Sequence, residues 1–128
     1  LVANLPDLGQ LPTTRNGANS ARLSGLTQAH NQSLRRSLKA SQQHSDVRIA
    51  TLDANALYRE AIASPSAFGF TNVTNPCLAS LNTCDNPDGF LFWDGIHPTT
   101  SAHRILGETA FAAIQEAGIV NSRVGKLP

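Results

Sequence analysis

The amino-acid sequence predicts an α/β protein, a sandwich in which helices pack on a parallel sheet. Segments with strand character and segments with helix character alternate along the chain, and neighbouring parallel strands need a helical crossover between them. The chain has 128 residues, of which 41% are hydrophobic and 15% are charged. These values are typical of one globular domain with its own core. The pattern indicates about two strands and three helices.

The first strand is predicted in the opening segment LVANLPDLGQLP. Apolar and small residues come first, and Pro6, Gly9 and Pro12 then favour a turn, so the strand covers about residues 1–5. From Ser20 the apolar residues recur every three or four positions, as one face of a long helix requires. That face is predicted to consist of Leu23, Leu26, His30, Leu34 and Leu38.

The second strand is predicted in DVRIATLDA, residues 46–54, because β-branched residues are frequent there and side chains alternate in type. Asp53 or Asn55 is expected to cap a short helix over residues 56–63, which ends at Ser64 and Pro65. A last helix follows Pro98 and is closed by Gly118. Its apolar stripe is predicted to be Ala102, Ile105, Leu106, Thr109, Ala113, Ile114 and Ala117.

Residues 64–92 contain many turn formers and little periodicity, so we predict a long structured loop, which in a compact domain is usually functional or stapled. Cys77 and Cys84 lie in this loop. A zinc site would need further Cys or His at short spacing, and we favour a local disulfide over two free thiols. A disulfide indicates an oxidising compartment, so the protein is expected to be secreted or periplasmic.

Two parallel strands among three helices would leave a strand edge without a partner. The chain is therefore expected to be the second half of a larger fold. The sequence contains no methionine, even at position 1, which suggests that the chain starts downstream of its translation start.

The composition argues against two classes of partner. Ten basic and nine acidic residues nearly balance, and the longest basic run is Arg35-Arg36, so binding to nucleic acid or to an anionic membrane is not indicated. No apolar stretch approaches the roughly 20 residues of a transmembrane helix, and the first residues lack the features of a signal peptide.

The segment FWDGIHPTT, residues 92–100, places Asp94 three positions before His97. General base catalysis of ester hydrolysis needs an imidazole that takes a proton from a serine, with a carboxylate on its other ring nitrogen. One tight turn, which Gly95 would allow, can bring the two side chains together, and the helix after Pro98 would fix that turn. The same residue types also occur in ordinary turns and helix caps, so the spacing alone is a weak signal.

Other polar residues were weighed as site residues. Asn4 and Asp7 follow the first strand, where α/β sheets place ligand groups, and are predicted either to shape the turn or to line a substrate cleft. His103 could complete a metal trio, but we predict a solvent-facing helix residue and no metal site. His30 is expected to be partly buried, and His44 solvated near a helix end. Ser24 and Ser101 are interpreted as surface or capping serines.

Three segments together resemble the SGNH, or GDSL-type, serine esterases and lipases, in particular their secreted bacterial lipase/lecithinase-like branch. They are NLPDLGQLP, SGLTQAHNQSLRRSL and NPCLASLNTCDNPDGFLFWDGIHPTTSAHRILGE, and the resemblance covers roughly residues 1–117. It implies a three-layer α/β/α sandwich, with Asp94 as the acid and His97 as the base of a Ser-His-Asp triad. It further implies that Phe92 and Trp93 support the loop and that the two cysteines staple it.

The chain departs from the family pattern in its nucleophile. It contains no Gly-Asp-Ser, no Gly-x-Ser-x-Gly and no Gly-x-Asn-Asp, which in the family supply the serine and the oxyanion hole. Residues 1–128 are therefore expected to be the carboxy-terminal part of a single SGNH hydrolase-like domain, with an amino-terminal fragment of the same enzyme as a partner.

Two functions remain open from the sequence. The first is a cofactor-free carboxylic ester hydrolase that acts on a lipid or a small acyl ester and is inactive as this chain alone. The second is a catalytically inactive SGNH-like domain that binds lipid or glycan.

Overall fold

The computed structural model describes residues 1–78 and 83–120. Three α-helices lie within these ranges: α1 (Ser20–His44), α2 (Ala54–Ala63) and α3 (Thr100–Glu116). The same ranges contain four short strands: β1 (Val2–Ala3), β2 (Thr51–Leu52), β3 (Asn72–Pro76) and β4 (Phe90–Phe92). The strands form two parallel pairs, β1 with β2 and β3 with β4. The α/β class, the parallel pairing and the three helices are confirmed, whereas the predicted number of two strands is wrong.

The β1–β2 pair is short, with two residues in each strand. The N–H of Val2 donates to the carbonyl of Ala50 at 2.9 Å, and the N–H of Asn4 donates to that of Leu52 at 3.1 Å. Backbone groups alternate in direction along a strand, so those of Ala3 point away from β2. Among the described residues no further strand pairs with β1.

The second predicted strand is much shorter than its sequence pattern. Only Thr51 and Leu52 of the segment 46–54 pair with a neighbour, and Val47 is 60% exposed. β-branched residues favour a strand only where a partner strand and a packed face are present. Because β1 is only two residues long, the residues that precede Thr51 in this segment have no partner strand opposite them.

The segment 64–92, predicted as a loop, contains the β3–β4 pair. β3 has the sequence NVTNP, in which Asn and Pro disfavour a strand, and β4 has only three residues. The two strands pair in parallel, Asn72 opposite Phe90, with an irregular register before Pro76. Two short 3-10 turns, Pro65–Phe68 and Pro87–Gly89, complete the segment. The prediction failed because the pairing joins strands that are distant in sequence.

Helix α1 begins at Ser20 as predicted, and Leu23, Leu34 and Leu38 of the predicted face are turned inward, but two of the predicted residues are not. Thr27 is buried, while Leu26 is 57% exposed and His30 is also exposed. The inward face consists of Ser20, Leu23, Ser24, Thr27, Asn31, Leu34 and Leu38. Leu26 and His30 are therefore wrongly placed by the sequence prediction, because polar residues one position further along occupy the inner face.

Polar side chains attach α1 to the segment that follows β1. Asn31 makes two hydrogen bonds to the backbone of Leu5. Its Oδ1 accepts from the Leu5 N–H at 3.0 Å, and its Nδ2 donates to the Leu5 carbonyl at 2.8 Å. The Thr27 hydroxyl accepts from the N–H of Leu8 at 3.2 Å. Hydrogen bonds to side chains of α1 thus help to fix the path of residues 5–9 and satisfy backbone groups that have no strand partner.

The two shorter helices are capped as their sequences suggest. Asp53 accepts from the N–H of Ala56 at 3.0 Å, so Asp53, not Asn55, is the cap of α2. Thr99 accepts from Ala102 at 3.2 Å and begins α3, and Gly118 has a φ of 65° after its end. The core lies between α2, α3 and the β3–β4 pair and includes Leu11, Tyr58, Ala61, Phe70, Val73, Leu91, Phe92 and Ala102.

Candidate active site

The candidate site is a turn between β4 and α3. The N–H of Trp93 donates to the carbonyl of His97 at 2.8 Å, which closes the turn at its base. On the far side, the N–H of Thr99 donates to the carbonyl of Leu91 at 3.0 Å and its hydroxyl to that of Phe90 at 2.7 Å. The turn is therefore fixed at both ends by the buried strand β4.

Asp94 and His97 meet inside this turn. The His97 Nδ1 and the Asp94 Oδ2 are 2.7 Å apart, a hydrogen-bond distance, so Nδ1 is the ring nitrogen that bears the proton beside the carboxylate. The other carboxylate oxygen accepts from the N–H of Ile96 at 2.8 Å and from the N–H of His97 at 2.7 Å. One carboxylate thus orders both the backbone of the turn and the ring of the histidine.

These contacts set the charge of the pair. The backbone N–H groups of His97 and Ile96, followed by the His97 ring, stabilise the charged carboxylate and lower the pKa of Asp94 to about 2. Asp94 is therefore ionised at neutral pH. The side chain of His97 is 70% exposed and that of Asp94 37%, so the ring nitrogen that does not face Asp94 is open to solvent.

A segment that is distant in sequence also contacts the turn. The N–H of Thr13 donates to the carbonyl of Gly95 at 3.1 Å. A Cβ placed on Gly95 would lie 3.2 Å from the Cβ of Thr13, a tight contact. Gly95 does not have a positive φ, so the expectation that it supplies conformational freedom is corrected. Because Gly95 has no side chain, the segment around Thr13 can approach it closely.

The predicted disulfide between Cys77 and Cys84 is formed, with the two Cα atoms 5.3 Å apart. It lies directly beside the turn. The N–H of Cys77 donates to the carbonyl of Phe92 at 3.0 Å, and the N–H of Leu78 donates to that of Trp93 at 2.8 Å. The disulfide was predicted from the sequence, but its position next to Asp94 was not.

The two aromatic residues before Asp94 differ in environment. Phe92 is buried at 1% exposure, and its ring centroid is 6.0 Å from that of Tyr58, so it supports the turn from below. Trp93 is 39% exposed and does not belong to the core, which corrects its expected role as a buried support. Ile96, on the other side of Asp94, is also exposed.

Asn4 and Asp7 lie at the carboxyl end of β1, apart from Asp94 and His97. Asn4 donates to the Asp53 carboxylate at 2.7 Å and accepts from the N–H of Asn55 at 2.9 Å. Asp7 accepts from the Gly9 N–H and from the Ser24 hydroxyl. Both therefore order the loops, and both also line a polar cavity of about 700 Å³ between α1 and the start of α2.

The remaining histidines and serines lie outside the turn. His103 is exposed as predicted, and His44 is exposed with its Nδ1 2.8 Å from the carbonyl of Ala40. The expected partial burial of His30 is wrong, because the helix face that contains it is turned outward. The Ser101 hydroxyl donates to Asp88 at 2.6 Å.

Residues 1–78 and 83–120 contain neither a cluster of metal-binding side chains nor a helix suited to a membrane. No group of three or more His, Cys, Asp or Glu side chains there is placed to hold a metal ion. No helix in these ranges has the length and hydropathy that are needed to cross a membrane.

Sequence reasoning found the Asp94–His97 pair but missed the residues that hold it. Thr13 and Leu78 act through backbone N–H groups, which are the same in almost every residue type. No side-chain signal could have identified them. Their contacts follow from the path of the chain, which brings residue 13 to residue 95.

Comparisons with known proteins find relatives among the GDSL esterases/lipases. A GDSL esterase/lipase of Arabidopsis thaliana named APG is 30% identical to this chain over 82% of the chain and 36% of the relative. Another Arabidopsis thaliana GDSL esterase/lipase is 24% identical over 94% of the chain and 38% of the relative. The thermolabile hemolysin of Vibrio parahaemolyticus is 32% identical over 47% of the chain and 18% of the relative.

The chain spans less than two fifths of the length of each of these relatives. The family model described as GDSL-like lipase/acylhydrolase matches residues 1–110. Because that match covers most of the 128 residues, the chain belongs to the GDSL-like lipase/acylhydrolase family.

Proposed function

We propose that the chain supplies the acid–base pair of a carboxylic ester hydrolase, with His97 as the base and Asp94 as the residue that orients it. The observation that carries the proposal is the 2.7 Å contact between the His97 Nδ1 and the Asp94 carboxylate. Because that contact occupies Nδ1, the ring presents Nε2 to solvent as a proton acceptor. This arrangement suits the activation of a serine hydroxyl.

In the proposed reaction, Nε2 of His97 takes the proton of a serine hydroxyl while the serine oxygen attacks the ester carbonyl. The imidazolium that forms is stabilised by ionised Asp94, and it then gives the proton to the leaving alcohol. Water hydrolyses the acyl-serine intermediate with His97 again as the base. Asp94 keeps its negative charge throughout, in agreement with its lowered pKa.

The nucleophilic serine and the oxyanion hole come, in this proposal, from an amino-terminal part of the same enzyme. The sequence of residues 1–128 contains no Gly-Asp-Ser segment, and the relatives are much longer than this chain. In residues 1–78 and 83–120 no further strand lies beside β1, which leaves that edge for another strand of the three-layer α/β/α sandwich. We expect no ester turnover by this chain alone, because the covalent step needs the serine.

The substrate in this proposal is a lipid or a small acyl ester. Asn4 and Asp7 are proposed to contact the polar part of the substrate from the cavity between α1 and α2. The Cys77–Cys84 disulfide supports a secreted or periplasmic location.

Fluorophosphonate labelling of the native protein tests the proposal. A labelled serine on a polypeptide that contains or accompanies residues 1–128 is the expected result. In that enzyme, His97→Ala should lower the rate of ester hydrolysis by about 10²- to 10⁴-fold, the usual contribution of a general base. The matched control is His103→Ala, which changes an exposed histidine of α3 and should leave the rate unchanged. A stable, unlabelled protein that binds lipid or glycan would instead identify an inactive binding domain.

A further inference from the structure

The disulfide-bonded segment contacts the candidate site through its backbone. β3 formally ends at Pro76, but Cys77 and Leu78 continue to donate to Phe92 and Trp93. Consecutive N–H groups of a regular strand point to opposite sides, so two consecutive donors to one neighbouring segment require a local bend. The disulfide begins at this bend, at Cys77.

Trp93 transmits this contact to the pair. Its carbonyl accepts from Leu78 at 2.8 Å, and its N–H donates to the carbonyl of His97, also at 2.8 Å. The N–H and the carbonyl of Trp93, the residue directly before Asp94, are therefore both hydrogen-bonded. A shift of Leu78 would move the peptide of Trp93 and would alter the turn that aligns Asp94 with His97.

The turn itself has little burial to hold it. His97 and Ile96 are largely exposed, and Asp94 is only partly covered. Its position therefore depends on a few hydrogen bonds from neighbouring segments, those from Leu78 and Thr13 among them. The segment that contains Cys77 and Leu78 is only partly buried and continues beyond the end of β3, so it would fray more easily without a constraint, and the covalent link to Cys84 supplies one.

We infer that the Cys77–Cys84 disulfide is a positioning element of the Asp94–His97 pair and acts through the N–H of Leu78. The inference rests on the proposed function for its catalytic meaning, because a positioned pair matters only if His97 moves a proton. Its structural content is independent of ester turnover and can be measured on residues 1–128.

The test is a carbon-13 NMR titration of the Asp94 carboxyl group in the double variant Cys77→Ser, Cys84→Ser. In the unmodified protein the three hydrogen bonds lower the pKa of Asp94 to about 2. Within the described part of the chain, His97 is the one titratable neighbour that contributes to this lowering. In the double variant we expect the pKa of Asp94 to rise by about one unit towards its ordinary value, because the turn no longer holds all three donors in place.

Ile105→Ala is the matched control for a general loss of stability. Ile105 packs against the core from α3 and is distant in sequence from the disulfide. This variant should lower the midpoint of thermal unfolding and leave the pKa of Asp94 unchanged. A folded double variant in which the pKa of Asp94 stays at about 2 would overturn the inference.

A second pair of variants applies even if the double variant does not fold. Leu78→Pro keeps the disulfide and removes the N–H that donates to Trp93, whereas Leu78→Ala keeps that N–H. We expect the pKa of Asp94 to rise in Leu78→Pro and to stay unchanged in Leu78→Ala. Equal pKa values of Asp94 in the two variants would show that the N–H of Leu78 does not position the pair. Loss of ester hydrolysis in His97→Ala with equal values here would leave the proposed function intact and reject only the inference.

Discussion

At the scale of single residues, Gly9 shows how closely the chain approaches itself near the polar cavity. A Cβ on Gly9 would overlap the carbonyl oxygen of Ser20 and the hydroxyl oxygen of Ser24. The hydroxyl of Ser20 donates to the carbonyl of Gly9 at 2.7 Å, so the two segments cannot separate without the loss of this bond. Glycine is required here for space and not for a special backbone angle.

We expect Gly9→Ala to lower the free energy of unfolding by about 1–3 kcal/mol, the usual cost of a steric overlap that moves backbone. The measurement is urea-induced unfolding. Gly25→Ala is the control, because Gly25 lies in α1 with nothing within 4 Å of an added Cβ. There alanine should stabilise the helix by up to about 1 kcal/mol. Equal changes in the two variants would contradict this account of Gly9.

The Asp94–His97 pair was predictable because it is local. Three positions separate the two residues, and a single turn brings their side chains together. The surroundings of the pair were not predictable, since Thr13 lies far from it in sequence and contributes only a backbone N–H. The exposure of Trp93 also could not be read from its apolar character.

At the scale of elements, α1 shows the limit of hydrophobic periodicity. The repeat of three and four predicted the helix, its start and three of the five residues of its inner face, but not the other two. Thr27 and Asn31 face inward instead of Leu26 and His30. The element that α1 contacts is an irregular segment with unpaired backbone groups, and polar side chains satisfy these groups better than leucine does.

Asn31→Ala should therefore destabilise the protein by about 1–3 kcal/mol, because it leaves the N–H and the carbonyl of Leu5 without their partner on α1. Thermal unfolding followed by circular dichroism measures the effect. His30→Ala, an exposed change one position earlier in the same helix, should stay within about 0.5 kcal/mol of the unmodified protein. A larger loss of stability in His30→Ala than in Asn31→Ala would contradict this account and favour the predicted face, in which His30 is turned inward.

The β3–β4 pair marks the other limit at this scale. Strand propensity is a weak signal in a five-residue segment with two Asn and a Pro, and the pairing of Asn72 with Phe90 is not local. The cap of α2 was easier to predict, since Asp53 was one of two candidates and acts on a group three residues away.

At the scale of the whole molecule, β1 and β2 form a sheet of only two strands in the described part of the chain. The absence of a further strand beside β1 there agrees with the predicted strand edge without a partner. The N–H of Asn4 is bonded to Leu52, whereas the N–H of Ala3 points away from β2.

Amide hydrogen exchange should distinguish these two neighbours. In the chain of residues 1–128 we expect Ala3 to exchange faster than Asn4, since a bonded amide is protected until the pair opens. In a longer protein that supplies the next strand, the exchange of Ala3 should become slow as well. Fast exchange of Ala3 in that protein would argue against a strand on this edge.

The local origin of the Asp94–His97 pair has a consequence for reconstitution. Both side chains arrive already aligned on one turn, so a complementing polypeptide would not have to organise them during association. In the proposed enzyme, the ordering cost of assembly would then fall mainly on the part that brings the serine.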